Sequence, residues 1–227
     1  MPQSDAKDKT TTVLTTITGF LQRHRRLLLT VLIAVVVIVA GLLIYLEVRA
    51  SREQSSRIAV EAVQDLYDQW NEAADDQEQQ RLAEQIQSEV DEIVSTYPRF
   101  YAAQRALMIR ADLHWQRQQW QRASEDYAEA ANGFRASYLT PISLFNAAAA
   151  AEQAGEPDRA RELLQQLVDN HDSVEVPRAL FSLGRLAESD SETAEALEYY
   201  NRLVDNHPGS NWTNLARNRI IALSIQE

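Results

Sequence analysis

The string Leu203-Val204-Asp205-Asn206-His207-Pro208 repeats Leu167-Val168-Asp169-Asn170-His171-Asp172 at five of six positions, and the two starts lie 36 residues apart. A looser copy, Ile93-Val94-Ser95-Thr96-Tyr97-Pro98, begins 74 residues before Leu167, or two periods. The copy between them falls near Ala130-Ala131-Asn132-Gly133-Phe134-Arg135, where the sequence has drifted. A fixed period of this size marks one supersecondary unit stacked on copies of itself. A single unit cannot bury its apolar face alone, so neighbours must complete the core.

The units read as helices. From Arg49 onward the chain is rich in Ala, Leu, Glu, Gln and Arg, and no segment alternates with period two. Breaks at Tyr97-Pro98, residues 138–141, residues 155–157, Val176-Pro177 and His207-Pro208-Gly209 cut it into pieces of helical-hairpin size. Small residues recur at fixed places. Ala111, Ala148 and Gly184 are expected where the first helix of a hairpin meets the second. Ala123, Ala160 and Ala196 are expected opposite them, so that the backbones approach closely while residues such as Leu180 and Tyr200 fill the remaining space. Residues 210–225 read as a terminal helix, with Asn214, Arg217, Asn218 and Gln226 available for a polar outer face.

Residues 27–46 form a second strong signal, LLLTVLIAVVVIVAGLLIYL, twenty residues without a charge. A hydrocarbon core about 30 Å thick needs about 20 helical residues at roughly 1.5 Å each. Tyr45 lies where an interfacial ring is stable. A cleaved signal is the competing reading, because Val48-Arg49-Ala50 precedes Ser51. The run is longer than the 7–15 apolar residues of a typical signal, so a span is expected. Five Lys or Arg precede the run and Arg49, Arg52 and Arg57 follow it, which predicts a cytoplasmic N-terminus and an extracytoplasmic C-terminal part. The expected division is a cytoplasmic tail over 1–26, a span over 27–47, a linking helix and degenerate helical hairpin over 48–98, and a repeat domain over 99–227.

Charge and composition exclude some functions. The formal net charge is −11, and because residues 1–26 sum to +3 the acidity lies wholly beyond the apolar run. Such a surface repels phosphate backbones, so no nucleic-acid partner is expected. There is no cysteine, which removes disulfides, thiolate metal sites and thiol nucleophiles. The four histidines, His24, His114, His171 and His207, form no metal-binding motif, and His171 and His207 share one repeat position, which suggests a structural role in the inter-repeat turn. No phosphate loop and no catalytic set stands out. Neither a cofactor, a metal, a small-molecule substrate nor an enzymatic activity is expected.

The repeat resembles the tetratricopeptide (TPR) family of 34-residue helix-turn-helix units. Leu180, Leu183-Gly184, Ala187, Ala196, Tyr200, Leu203 and Pro208 fall on that family's spacing, as do Leu144, Ala147-Ala148, Ala151, Ala160, Leu164 and Leu167, and Leu107, Ala111, Ala123, Tyr127 and Ala130. Residues 58–98 match only at Val90, Ile93 and Pro98. The resemblance implies an all-α superhelix of about three repeats, with a degenerate hairpin before it and a capping helix after it. It also implies that the first helix of each repeat lines a concave groove, which would place Arg105, Met108, Asp112, Trp115 and Gln116, then Ile142, Phe145, Ala149 and Glu152, then Arg178, Phe181, Arg185 and Glu188 toward a protein ligand. Met108, Phe145 and Phe181 share one position and read equally as inter-repeat core or as an apolar groove strip rimmed by charge. Trp70, Trp115, Trp120 and Trp212 are candidates for the core, with two or three of them expected there.

The layout of basic tail, single span and acidic repeats resembles the YfgM-type ancillary subunits of the bacterial Sec translocon. That resemblance implies an inner-membrane scaffold whose partners are translocon subunits, periplasmic chaperones or emerging polypeptides. A second resemblance, to periplasmic TPR scaffolds of the outer-membrane assembly or Tol-Pal coordinator type, implies envelope maintenance. Those proteins are usually lipoproteins or secreted, and this chain has no lipobox cysteine.

Overall fold

The computed structural model describes residues 24–170 and 172–225. The tail with Lys7, Lys9 and Arg23, the turn residue His171 and the capping candidate Gln226 lie outside the described residues. The described residues form nine α-helices and no strand: α1 (Arg25–Glu72), α2 (Asp76–Thr96), α3 (Tyr101–Gln116), α4 (Trp120–Gly133), α5 (Thr140–Gln153), α6 (Pro157–Asn170), α7 (Val176–Ser189), α8 (Thr193–Asn206) and α9 (Asn211–Ser224). The chain divides into two compact units between Glu53 and Gln54, inside α1. In the first unit, the apolar run of α1 has a mean hydropathy of 3.3 and none of it is buried. Among the described residues this is the one helix long and apolar enough to cross a membrane, and a signal sequence has the same properties.

In the second unit, from α2 onward, each helix packs on its chain neighbours, the one-dimensional stack that a short repeat requires. Helices α3 and α4, α5 and α6, and α7 and α8 are the three repeats. The helix-crossing positions are packed as their small size demands: Ala111, Ala123, Ala160 and Ala196 have no exposed surface, and Ala148 has 2%. At Gly184 the approach is closest, because the Tyr200 ring lies over the Cα. One apolar core runs from Ala111 to Leu223 through the three repeats. A second joins Val60, Val63 and Trp70 of α1 to Leu82 and Ile86 of α2 and to Ala106 and Leu113 of α3. Helix α3 therefore serves both cores and is buried on two sides, which explains its weak amphipathic pattern. Residues 58–98 form the expected hairpin, with a turn at residues 73–75. Its second helix spans 21 residues, against 14 in α4, α6 and α8, which is why it matches the repeat only near its end.

Two kinds of turn alternate along the stack. Within each repeat the first helix ends at a residue with left-handed backbone: Gln118 (φ 57°), Gly155 (φ 78°) and Ser191 (φ 65°). In all three the amide of that residue bonds back three residues, and the next amide bonds back five, to His114, Ala151 and Ala187. This is the Schellman cap. Between repeats, the hydroxyls of Thr140 and Thr213 donate to the carbonyls of Phe134 and His207, each six residues earlier, at 2.6 Å.

The breaks at residues 138–141 and Val176-Pro177 are helix starts: Pro141 and Pro177 each sit in the first turn, where the missing N–H has no partner to lose. Two expectations need correction. The outer face of α9 is mixed, not polar: Leu215, Ile221 and Ile225 are exposed beside Asn214, Arg217 and Asn218. Of the four tryptophans only Trp70 is buried, while Trp115 and Trp212 pack half-exposed against the long core.

Candidate partner-binding face of the A helices

The first helices of the three repeats, α3, α5 and α7, present residues around one open cavity of about 240 Å³. Helix α3 contributes Trp115, α5 contributes Phe145, Ala149 and Glu152, and α7 contributes Arg178 and Arg185. Six of the residues expected in the groove thus converge. Ala148, Gln153, Leu164 and Ser182 complete the lining. Gln153 and Ser182 were not expected there, yet each stands four residues after a residue that was, Ala149 and Arg178, on the same helical row.

Pairing between repeats shapes the cavity. The Arg178 guanidinium lies 3.9 Å from the centre of the Phe145 ring and 5.9 Å from that of Trp212. It covers Phe145, which is buried, so the shared position of Met108, Phe145 and Phe181 is core edge before it is groove. Arg178 stays half exposed and its ion pair, with Glu175 at the N-cap of its own helix, is long at 3.9 Å. It therefore retains donors for a ligand. Arg185 reaches back from α7 to Glu152 of α5 at 2.5 Å, closing one side. Trp115 is braced edge-on by Trp120, with ring centres 5.0 Å apart.

The remaining candidates are committed elsewhere. Arg105 donates to Gln64 of α1 at 3.5 Å. Asp112 accepts the Tyr127 hydroxyl, and burial holds its carboxyl above the usual carboxylate range. Glu188 accepts Arg219 Nε at 2.9 Å and the Tyr200 hydroxyl at 2.5 Å. The hydrogen bonds from Arg219, and then from Tyr200, hold the Glu188 carboxyl below its ordinary range despite burial. Phe181 packs between Tyr200 and Trp212. Met108 packs on the core, Ile142 is half-buried, and Gln116 is exposed. Asp112, Glu188 and Arg105 are thus internal fasteners between helices. Among the described residues no group of three His, Asp or Glu side chains is placed to hold a metal ion.

The cavity lies below the roughly 300–1,000 Å³ of small-molecule sites. It is open to solvent, lined by aromatic and aliphatic carbon and edged by two guanidiniums and a carboxylate. That suits one large side chain of a longer polypeptide.

Comparison with known proteins agrees with this architecture. The family described as Tetratricopeptide repeat matches residues 145–211. A TPR repeat-containing protein of Treponema pallidum (strain Nichols) is 33% identical over 221 residues, covering 91% of this chain and 92% of that protein. Among solved structures, a crystal structure of nearly identical TPR-like repeats from Podosopora anserina aligns with a TM-score of 0.53 at 15% identity, over 74% of this chain and 84% of that one. At that identity the likeness concerns the fold alone, whereas the Treponema relative extends along almost the whole length. On that relationship, the chain belongs to the tetratricopeptide-repeat family.

Proposed function

We propose that this chain is a membrane-tethered scaffold of the cell envelope that holds an extended polypeptide segment against its A helices, as an ancillary subunit of the translocon and periplasmic chaperone network. Tetratricopeptide repeats serve protein–protein interaction, and the cavity between α3, α5 and α7 carries the reading here. Its volume admits a side chain, and the free donors of Arg178 suit a polar or acidic neighbour of that side chain. The apolar run of α1 supports a tether, and the basic excess before it supports an N-terminus in the cytoplasm. Tethering confines the repeats to the membrane surface and raises their effective concentration beside other membrane complexes.

The test is photocrosslinking in intact cells from residues that line the cavity without being buried, Ala149 and Ser182, with Gln121 as a position outside it. Adducts with translocon subunits, chaperones or emerging chains from Ala149 and Ser182, absent from Gln121, are the expected result. Equal adducts from all three positions, or none, would end the groove reading. A mature chain that begins after Ala50 would remove the tether and favour an envelope-maintenance scaffold instead.

A further inference from the structure

We propose that the corner built from Arg99, Tyr101, Arg135 and Tyr138 rests on anionic phospholipid headgroups; this rests on the reading of α1 as a membrane tether. The corner occupies one end of the second unit. Arg105 of α3 meets Gln64 of α1, and Asp112 of α3 acts on Tyr67 of α1, so the two helices run parallel there. The start of α3 therefore lies at the end where the chain enters this unit, at Gln54. Helix α2 runs against α3, with Asp91 on Arg110 and Gln80 on Arg117. The α2–α3 junction is thus at that end, and the stack places the α4–α5 junction beside it, where Tyr138 stacks on Tyr101.

The chemistry of the two junctions is that of a membrane interface. Tyr101 and Tyr138 are 44% and 73% exposed. Their rings stack with centres 6.0 Å apart, and their hydroxyls bond each other at 2.7 Å. Two large rings in water, already paired at their polar tips, are amphipathic in the manner of the aromatic belt at lipid headgroups. Arg99 and Arg135 are exposed, and among the described residues neither has an ion pair. Residues 97–101 and 134–139 contain no Asp or Glu, although the chain carries a net −11. The next junction is different, with Asp172 and Glu175. Unpaired cations beside exposed aromatics complement a negative surface, each Lys or Arg there being worth roughly fivefold in binding.

Reach is not limiting. Seven residues, 47–53, separate the apolar run from the second unit. Whatever their conformation, they span at most about 25 Å. The second unit cannot leave the neighbourhood of the bilayer.

The chain has no cysteine, so single cysteines can be placed freely for labelling. The full chain would be reconstituted into vesicles of phosphatidylcholine, with and without phosphatidylglycerol, carrying a fluorophore at Ala136→Cys in the corner, Gln121→Cys at the other end of α4, or Val36→Cys in the apolar run. Headgroup-quencher lipid should quench Ala136→Cys strongly in anionic vesicles and weakly in neutral ones, and should leave Gln121→Cys unchanged. Charge reversal of both cations, Arg99→Glu with Arg135→Glu, should lower the contact in anionic vesicles at least tenfold, with the helical signal unchanged. Quenching at Val36→Cys but none at Ala136→Cys, or contact indifferent to charge reversal, overturns the corner while leaving the tether intact. No acyl-chain quenching at Val36→Cys overturns the tether and the corner with it. Adducts of the corner with an acidic protein in place of lipid would also overturn it.

Discussion

The ring of Tyr200 lies so close to Gly184 that a Cβ on that residue would stand 2.5, 2.7 and 2.9 Å from Cε1, Cζ and Cδ1. The ring has nowhere to go. It is fully buried, its hydroxyl bonds Glu188 at 2.5 Å, and Phe181 packs on it with centres 5.5 Å apart. Two effects compete in Gly184→Ala. Alanine gains about 1 kcal/mol of helix propensity. Overpacking costs about 1–3 kcal/mol. Three contacts under 3 Å with a pinned ring decide for the clash, so the variant should lose net stability in denaturant unfolding of the full chain. The middle repeat pairs Ala148 with Leu164 at these positions. Gly184→Ala with Tyr200→Leu should therefore show a favourable coupling of roughly 0.5–3 kcal/mol, whereas additive losses would mean that the ring is not the obstacle.

Small residues and their spacing make the helix crossings legible in the amino-acid sequence, because only a small side chain lets two helices meet there and the period of 36 repeats the demand. The turns are not equally legible. One backbone conformation ends α3, α5 and α7, yet the residues that adopt it are Gln118, Gly155 and Ser191, and only the glycine announces a turn. A left-handed conformation costs a non-glycine residue about 1–2 kcal/mol, which the surrounding Schellman bonds here impose. Gln118→Gly and Ser191→Gly should each stabilise the protein by roughly 0.5–1 kcal/mol once the extra freedom of the unfolded chain is discounted. Gly155→Ala has open space around its Cβ, so its cost should be the backbone term alone, about 1 kcal/mol. Thermal unfolding followed by circular dichroism measures all three, and a destabilised Ser191→Gly would refute the account.

The candidate face is readable only by half, for a physical reason. Family spacing identifies which positions of an A helix point away from the hairpin, but not whether the next repeat supplies a partner for them. Arg178 and Phe145 illustrate the difference, since Arg178 was expected in the groove, Phe145 read equally as groove or core, and one covers the other. Asp112 and Glu188 were expected at the rim, but tyrosine hydroxyls on α4 and α8 turn them into fasteners.

Two arginine pairs of similar length should differ widely in worth. Arg110 holds Asp126 through Nη2 at 2.7 Å and Nε at 3.0 Å, and the two side chains are only 14% and 10% exposed. Asp126→Ala would leave a covered guanidinium with Asp91 as its remaining partner. The loss should fall at the lower end of the roughly 3–5 kcal/mol for breaking a buried pair. Arg185 and Glu152 meet at 2.5 Å but are 46% and 30% exposed. Arg185→Ala should cost under about 1 kcal/mol. It should also weaken any ligand held in the cavity that Arg185 edges, so stability and crosslinking yield from Ala149 would separate the two roles.

His114 makes the fold sensitive to pH in a defined direction. Burial holds its pKa below the ordinary value of 6.5, although the hydrogen bond with Gln119 Oε1 at 2.7 Å and the nearby Asp126 favour the charged form. Arg110 and Arg122 add to the depression. The unfolded chain thus binds a proton at His114 before the folded chain does. The stability from keeping His114 neutral is complete above the unfolded pKa and is lost as pH falls from there to the folded value. The loss cannot exceed about 1.4 kcal/mol per pH unit for one group. Glu188, whose carboxyl is held below its ordinary value of 4.5, contributes stability that is lost only at pH below that value, whereas the His114 loss begins as pH falls through 6.5. Urea midpoints between about pH 7 and pH 5 should fall for the native chain and stay flatter for His114→Gln, which keeps a polar group without the titration. Equal slopes for the two proteins would show that His114 takes up its proton in the fold as readily as in the open chain.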